Sequence, residues 1–383
     1  MKIGIDGNEA NISERVGIGE YAFQLLKNIA VMDKKNDYDI LLKNDPQISL
    51  PKEKENWHYE VFGPRFFWTQ FALPAKLLLK SERYDVFFSP THYAPRYVNC
   101  PLVISVMDLS YIYFPEMFKK KDLYQLRLWT DYSVRKADRI MTISQYSKSA
   151  IVDYYKVPPE KVAVTYPGYN KENYKLPFDC AQGGQITNYK LKMNKIRHKY
   201  KINGDYILFV GTLQPRKNLV RLIEAYNETL RLRSGQAMKL VIVGKKGWLY
   251  EKIFERVKQL NLKKEIIFLD YILEDDLPIL YQGASCFILP SLYEGFGIPA
   301  VEAMACGIPV AVSNVSSLPE IVGEAGITFD PLDVNDIAKS IKRLLTDQRL
   351  REEKIKKGLE RVKLFDWNVC AQKTLSVLQT LGD

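Results

Sequence analysis

Twice along this chain a short apolar run ends at a glycine turn and gives way to a helical pattern, and each time the alternation continues for the length of a domain. That ordering constrains the fold strongly, because alternating β and α segments bury both faces of a parallel sheet. The first series opens with Lys2 to Asp6, turns at Gly17-Ile18-Gly19 and enters GEYAFQLLKNIAVM, whose apolar residues recur at helical spacing. Further strands are expected at 40–42, 86–89, 102–107 and 139–143, with helices near 66–80, 121–136 and 145–155. The second series opens at Tyr206 with strand ILFVG, then helix 217–231, strand LVIVG, helix 249–259, strand IIFLD and helix 274–283. A chain of 383 residues suits two such domains better than one, since single cores rarely grow beyond about 250 to 300 residues. The expected fold class is α/β, with two Rossmann-like sheets facing each other and ligands at the carboxyl ends of the strands.

Composition narrows the class. At 46% hydrophobic and 26% charged, the chain reads as an ordinary globular protein. No apolar run approaches the roughly 18 residues of a membrane span, and MKIGIDGNEANISER has neither the basic start nor the apolar core of a signal peptide. A cytoplasmic location is expected. The five cysteines are scattered with no C-x-x-C pair, which suits reduced thiols. The net charge of +10 gathers in one place: between 173 and 203, seven basic residues face only Asp179. With no RNA-binding signature beside it, that cluster reads as a solvated connecting segment or as a weak contact with anionic lipid, and nucleic acid is not an expected partner. DCAQGGQITN in that segment and RLRSGQAMK further on read as surface insertions.

The chemistry is concentrated in FILPSLYEGFGIPAVEAMACGIPVAVS, residues 287–313. Strand 287–289, loop 290–298, helix 299–305 and strand 308–313 follow one another, with Pro299 at the first helical position and Gly307 past the end. A Gly-rich loop feeding a helix N-terminus offers backbone N–H groups and the positive end of the helix dipole to a phosphate. Glu294 stands in the loop and Glu302 in the helix, and an acceptor-only carboxylate beside a phosphate site suits the hydroxyls of a ribose or sugar. The combination points to a nucleotide sugar. The plain alternative makes Glu302 a first-turn helix acid and Glu294 a solvated loop acid. After strand ILFVG ends at Gly211, Arg216 and Lys217 sit at a helix start, where positive charge opposes the dipole unless an anion binds. His92 follows strand DVFFS and Asp108 follows strand LVISVM, so both belong to the ligand-facing edge, as polar contacts, as an acceptor-hydroxyl ligand or base, or as structural polar residues. Asp37-Tyr38-Asp39 has no partner ligands and reads as a chance D-x-D. Residues 64–80, PRFFWTQFALPAKLLLK, read as core packing of a helix, with a lipid-facing surface as the alternative.

Segment 287–313 resembles the retaining glycosyltransferases of family 4, whose hallmark is a Glu, seven residues, Glu pattern running from loop into helix. The resemblance extends to Gly17 and Gly19, MDLSYIYFPEMF at 107–118, ADRIMTISQYSKSAI at 137–151, GTLQPRKNL at 211–219 and SSLPEIVGEAG at 316–326, and leaves out 173–203. It implies the GT-B fold, with an acceptor-binding domain over 1–172, a nucleotide-sugar-binding domain over 204–364, and a final helix, 365–383, crossing back to the first at Phe365 and Trp367. It further implies a retaining transferase that needs no metal or other cofactor. On that pattern Glu294 positions sugar hydroxyls, Glu302 the ribose diol and Arg216 with Lys217 the diphosphate. Backbone groups of Gly295, Phe296, Gly297 and Ile298 complete the anion site, the Gly17–Gly19 turn approaches the donor, and the nucleobase lies near Tyr271. Two positions depart from the family. Thr212 stands where many members carry Arg, and Met107 stands where many carry the His that touches the donor sugar. The DLS-x-x-x-FPE block and SLYEGFGIP look most like mannosyl or rhamnosyl transferases of surface polysaccharide assembly, which makes GDP-mannose the first donor expected and a saccharide or lipid-linked saccharide the acceptor. The rivals are an epimerase or phosphorylase on the same fold, and a nucleotide-sugar-binding protein that has lost catalysis.

Overall fold

The computed structural model describes every residue except 80–82, 175–182, 232–237, 271 and 383, and leaves aside the side chains of 183–190 and 231. The chain divides into two compact units, Met1–Gly168 joined by Phe365–Asp383, and Tyr169–Leu364.

In the first unit the described strands are β1 (Lys2–Asp6), β2 (Asp37–Leu42), β3 (Trp57–Val61), β4 (Val86–Ser89), β5 (Leu102–Ser105), β6 (Arg139–Thr142) and β7 (Val162–Val164). They form one parallel sheet in the order β3-β2-β1-β4-β5-β6-β7, with Ile5 opposite Ile40 on one side and Phe88 on the other. The sequence pattern had no strand at β3 or β7, both at sheet edges, where burial and hence apolar patterning are weak. Helix Ile18–Met32 lays Leu25, Leu26 and Ile29 on one face of the sheet, beside Cys370, Ala371 and Leu378 of helix Trp367–Gly382. Each such buried aliphatic side chain stabilises by roughly 1.5 to 3 kcal/mol. The other face is covered by Leu73, Leu77, Val134 and Ile151. Phe365 is buried against Tyr166 with ring centroids 6.0 Å apart, and the backbone of Trp367 passes so close to Gly168 that a Cβ there would lie 2.3 Å from its nitrogen.

One expectation in this unit is corrected. The helix placed at 66–80 begins at Ala72, because Phe67 takes φ 50, a left-handed conformation that no right-handed helix can contain. Of the four aromatics only Trp68 enters the core, its indole donating to the carbonyl of Phe62 at 3.0 Å; Phe66, Phe67 and Phe71 stand in solvent.

The second unit repeats the plan with β8 (Tyr206–Val210), β9 (Lys239–Val243), β10 (Ile266–Leu269), β11 (Cys286–Leu289), β12 (Val310–Ser313) and β13 (Gly326–Phe329). Their order is β10-β9-β8-β11-β12-β13, again parallel, so strand order reverses between β8 and β11 as it does between β1 and β4. Such reversals open the carboxyl edge of a sheet to ligands. Part of the connecting segment is a helix, Gly183–Lys199, on which Lys192 and Lys195 remain exposed to solvent. Met193 and Ile196 are buried, and Lys199 meets Asp276 at 2.6 Å, a residue beside helix Leu277–Gln282. Of the two insertions, 179–182 and 232–237 lie outside the described residues, and GGQITN of the first opens the helix Gly183–Lys199.

Candidate functional site

The carboxyl edge of the second sheet is built by backbone crossings that only glycine permits. After β8 the Gly211 amide donates to Val243 at 2.9 Å, and the Leu213 amide to Lys245 at 2.9 Å, so the loops after β8 and β9 lie against each other. A Cβ on Gly244 would sit 2.0 Å from the Gly211 carbonyl oxygen. The chain then makes a single tight turn, Pro215–Lys217, and leaves it through Asn218 at φ 56. Asn218 donates to the carbonyls of Pro290 and Pro331 at 3.0 and 2.7 Å, which latches this turn to the loop after β11. The Arg216 guanidinium donates to Tyr293 at 2.7 Å, and the Arg216 carbonyl accepts from Leu292 at 2.8 Å.

That latch brings both cations to Glu294. Lys217 Nζ lies 2.5 Å from Glu294 Oε1, Arg216 Nη1 lies 3.5 Å from Oε2, and the Ser291 hydroxyl donates to Oε1 at 2.6 Å. The carboxylate is only 7% exposed and Lys217 only 9%. Burial alone pushes the Glu294 carboxyl up, but Lys217 and Arg216 outweigh it and hold it below the ordinary glutamate value. Glu294 is therefore a buried, ion-paired carboxylate, which removes the solvated-acid reading. The sequence had treated the two cations and Glu294 as groups with separate tasks; the structure makes them one cluster.

The loop beyond Glu294 closes down on itself. Ser317 donates to the carbonyls of Glu294 and Phe296 at 2.9 and 3.1 Å, and Ser316 Oγ accepts from the Glu294 amide at 3.0 Å. Gly295, Phe296 and Gly297 are buried and Ile298 half-buried. Helix Ile298–Ala305 starts from Gly297 at φ 100, where any Cβ would also lie 2.6 Å from Leu318, and no side chain caps it. Pro299 has no N–H and the Ala300 amide donates to the Gly297 carbonyl at 2.9 Å, so in the first turn the Ile298 amide is the group that can meet an anion. Glu302, within this helix, belongs to a second cluster: the buried Tyr281 hydroxyl donates to Glu302 Oε2 at 2.9 Å, and Tyr174 packs edge-on to Tyr281 at 5.9 Å. Burial, then Glu302, pushes both phenols well above the ordinary tyrosine value, so both stay protonated as donors. Tyr281 and Tyr174 carried no sequence signal, since each sits far from the carboxylates along the chain, while Ser291 and Ser317 lie in the blocks SLYEGFGIP and SSLPEIVGEAG without having been singled out. Tyr271 lies outside the described residues.

The first unit presents its candidates at the matching edge. Gly17 caps helix Ile18–Met32 at φ 54 with open space where a side chain would stand, whereas a Cβ on Gly19 would meet Ile12 and the Glu9 carbonyl at 3.0 and 3.1 Å. His92 follows β4 and packs edge-on against Tyr93 at 4.1 Å, and its Nε2 is buried without a hydrogen-bond partner. Burial pulls the imidazole down to about 4, with Asp108 pushing the other way. Asp108 follows β5 and accepts from the Ser110 amide at 2.8 Å. Met107 packs against the core. At the end of β1, Asp6 is pushed up to about 6 by burial, against the hydrogen bonds from Asn8, and the sequence reading did not single it out. Asp39 of the D-x-D is a buried acceptor for Tyr84 at 3.0 Å, and among the described residues no group of three His, Cys, Asp or Glu is placed to hold a metal ion.

Two family models match the chain: Glycosyltransferase Family 4 over residues 34–173 and Glycosyl transferases group 1 over residues 192–361. Among curated proteins, the chain is 28% identical to O-antigen chain mannosyltransferase B of Escherichia coli across 95% of this chain and 96% of that one. Among solved structures it is similar to sucrose-phosphate synthase from Thermosynechococcus elongatus, with a TM-score of 0.76 at 20% identity over 99% and 98% of the two chains. It is also similar to Anabaena HepE in complex with UDP-glucose, with a TM-score of 0.73 at 20% identity over 99% of this chain and 100% of that one. These likenesses establish the two-domain α/β fold.

Proposed function

The chain belongs to the group 1, family 4 glycosyltransferases, and on that footing we propose that it is a retaining transferase that moves mannose from GDP-mannose to a saccharide or lipid-linked acceptor in surface polysaccharide assembly. The observation that carries this reading is the Arg216–Lys217–Glu294 cluster at the sheet's reversal point, beside an uncapped helix N-terminus. A nucleoside diphosphate needs fixed positive charge for the phosphate oxygens released in transfer, and Arg216 and Lys217 supply it there without calling on a metal. Glu294, kept ionised by those cations, is an acceptor for sugar hydroxyls, and Glu302, oriented by the Tyr281 hydroxyl, is the carboxylate assigned to the ribose diol. Asp108 and His92 are assigned to the acceptor. The likeness to a mannosyltransferase over nearly its whole length supports the donor sugar. A cytoplasmic enzyme in weak peripheral contact with the membrane would meet a lipid-linked acceptor; among the described residues no helix is long and apolar enough to cross a membrane.

Calorimetry of GDP, UDP, dTDP and ADP with EDTA present tests the donor, using wild type and Glu302→Ala. GDP binding that the substitution weakens is the expected result, followed by mannose transfer whose product keeps the donor's anomeric configuration by NMR. Binding only with a divalent metal, or an inverted product, overturns the reading.

A further inference from the structure

Lys76 apart, helix Ala72–Leu79 is apolar on every side. Ala72, Leu73 and Leu77 are buried in the core of the first unit. The opposite face carries Phe71, Ala75, Leu78 and Leu79, spaced as one stripe of a helix, and it is in solvent: Phe71 is 66% exposed, Leu78 55% and Leu79 85%. A surface helix ordinarily turns polar residues outward, and apolar all round is the pattern of a buried one. The turn before the helix extends the same surface. Phe66 is 77% exposed, its ring centroid is 4.2 Å from that of Phe67, and Phe67 is 6.1 Å from Phe71. Phe67 reaches this place through φ 50, an uncommon conformation for a bulky residue, whose effect is to project rings outward that a continued helix would carry around its axis. Contiguous exposed apolar surface of this kind marks an interaction site.

We infer that residues Phe66 to Leu79 form an interfacial surface that seats the first unit on an anionic lipid bilayer. Charge selects this occupant. Glu60, beside the patch, is neutralised by Lys76 at 2.5 Å, while Arg65 just before it in the chain and Arg83 four residues after it are exposed. Exposed aromatic and aliphatic side chains flanked by arginines fit the boundary between acyl chains and anionic headgroups, where each basic residue near the surface adds attraction. The surface names where the proposed membrane contact lies, and in its biological role it rests on that reading.

Flotation of the full chain with phosphatidylcholine vesicles, with and without about one third phosphatidylglycerol, tests it. Wild type should float with the anionic vesicles. Phe66→Ser/Phe71→Ser/Leu79→Ser should lower that partition at least about tenfold, and Arg65→Glu/Arg83→Glu should abolish the preference for phosphatidylglycerol while near-UV circular dichroism stays unchanged. Wild type that does not float, or a triple variant that floats like wild type, overturns the inference. So does sedimentation velocity showing a dimer that the triple variant dissolves, since the face would then be covered by a second copy. GDP calorimetry on the same samples separates the two readings: vesicle binding without GDP binding sinks the proposed donor and leaves the surface standing.

Discussion

The carboxyl edges of the two sheets occupy the same place in the same architecture, yet their ionisable groups are governed by opposite physics. In the second unit pairing wins over burial: Lys217 and Arg216 hold Glu294 ionised in a site that by itself would neutralise it. In the first unit burial wins: Asp6 is pushed up to about 6 and His92 down to about 4, both toward their neutral forms. An edge with fixed charges suits an anionic nucleotide, and an edge whose buried groups are shifted toward their neutral forms suits hydroxyl groups. On the proposed function, the contrast is how one fold, used twice, would be divided between two kinds of ligand through its loops, while the strands beneath stay alike.

The sharpest way to break the contrast is Lys217→Met. It strips the buried Glu294 carboxylate of its close partner, and loss of one side of a buried pair costs about 3 to 5 kcal/mol. Urea unfolding should show that loss, and GDP affinity should fall with it; a variant as stable as wild type would mean that the pair is not buried in solution. Gly297→Ala comes next. The substitution forces a Cβ into φ 100 and against Leu318, so a destabilisation of about 1 to 3 kcal/mol is expected, with weaker diphosphate binding as the helix N-terminus shifts. Tyr281→Phe removes a donor from Glu302 and keeps the ring, which should cost about 1 kcal/mol in unfolding and loosen GDP binding less than Glu302→Ala does.

The smallest effect sharpens the first unit's side. His92 takes up its proton at about 4 when folded and near 6.5 when unfolded, so between those values the unfolded chain binds more protons and stability rises with pH. Asp6, at about 6 folded and near 3.8 unfolded, works the other way, since there the folded chain binds more protons and stability falls as pH rises. The two slopes oppose each other between pH 4 and 6. Asp6→Asn should make the melting temperature climb more steeply with pH in that window, and His92→Asn should make it flatter or falling. Equal pH profiles for both variants and wild type would show that neither group is buried as described.

Much of the molecule was legible beforehand because its signals are local. The strand at Cys286–Leu289, the glycine loop and the helix from Ile298 each follow from residue types and spacing within one stretch. Strands β3 and β7 were not legible, because edge strands bury little and carry little pattern. The helix ending at Lys199 was masked by its own lysines, which look like a solvated linker until Met193 and Ile196 find a surface to cover. The outward turn of Phe66, Phe67 and Phe71 was likewise unreadable, since four aromatics in a row of apolar residues point to a core until one backbone angle at Phe67 sends three of them the other way.

By itself the sequence determined two parallel sheets, the family and the residues that could carry charge to a donor, since periodicity and motif spacing act over a few residues. Only the tertiary structure decided that Lys217 would close on Glu294, that Tyr281 would hold Glu302, and that Asp6 and His92 would be pressed toward neutrality. Partners and desolvation depend on which distant segments share a place, and that is settled only when the chain has folded.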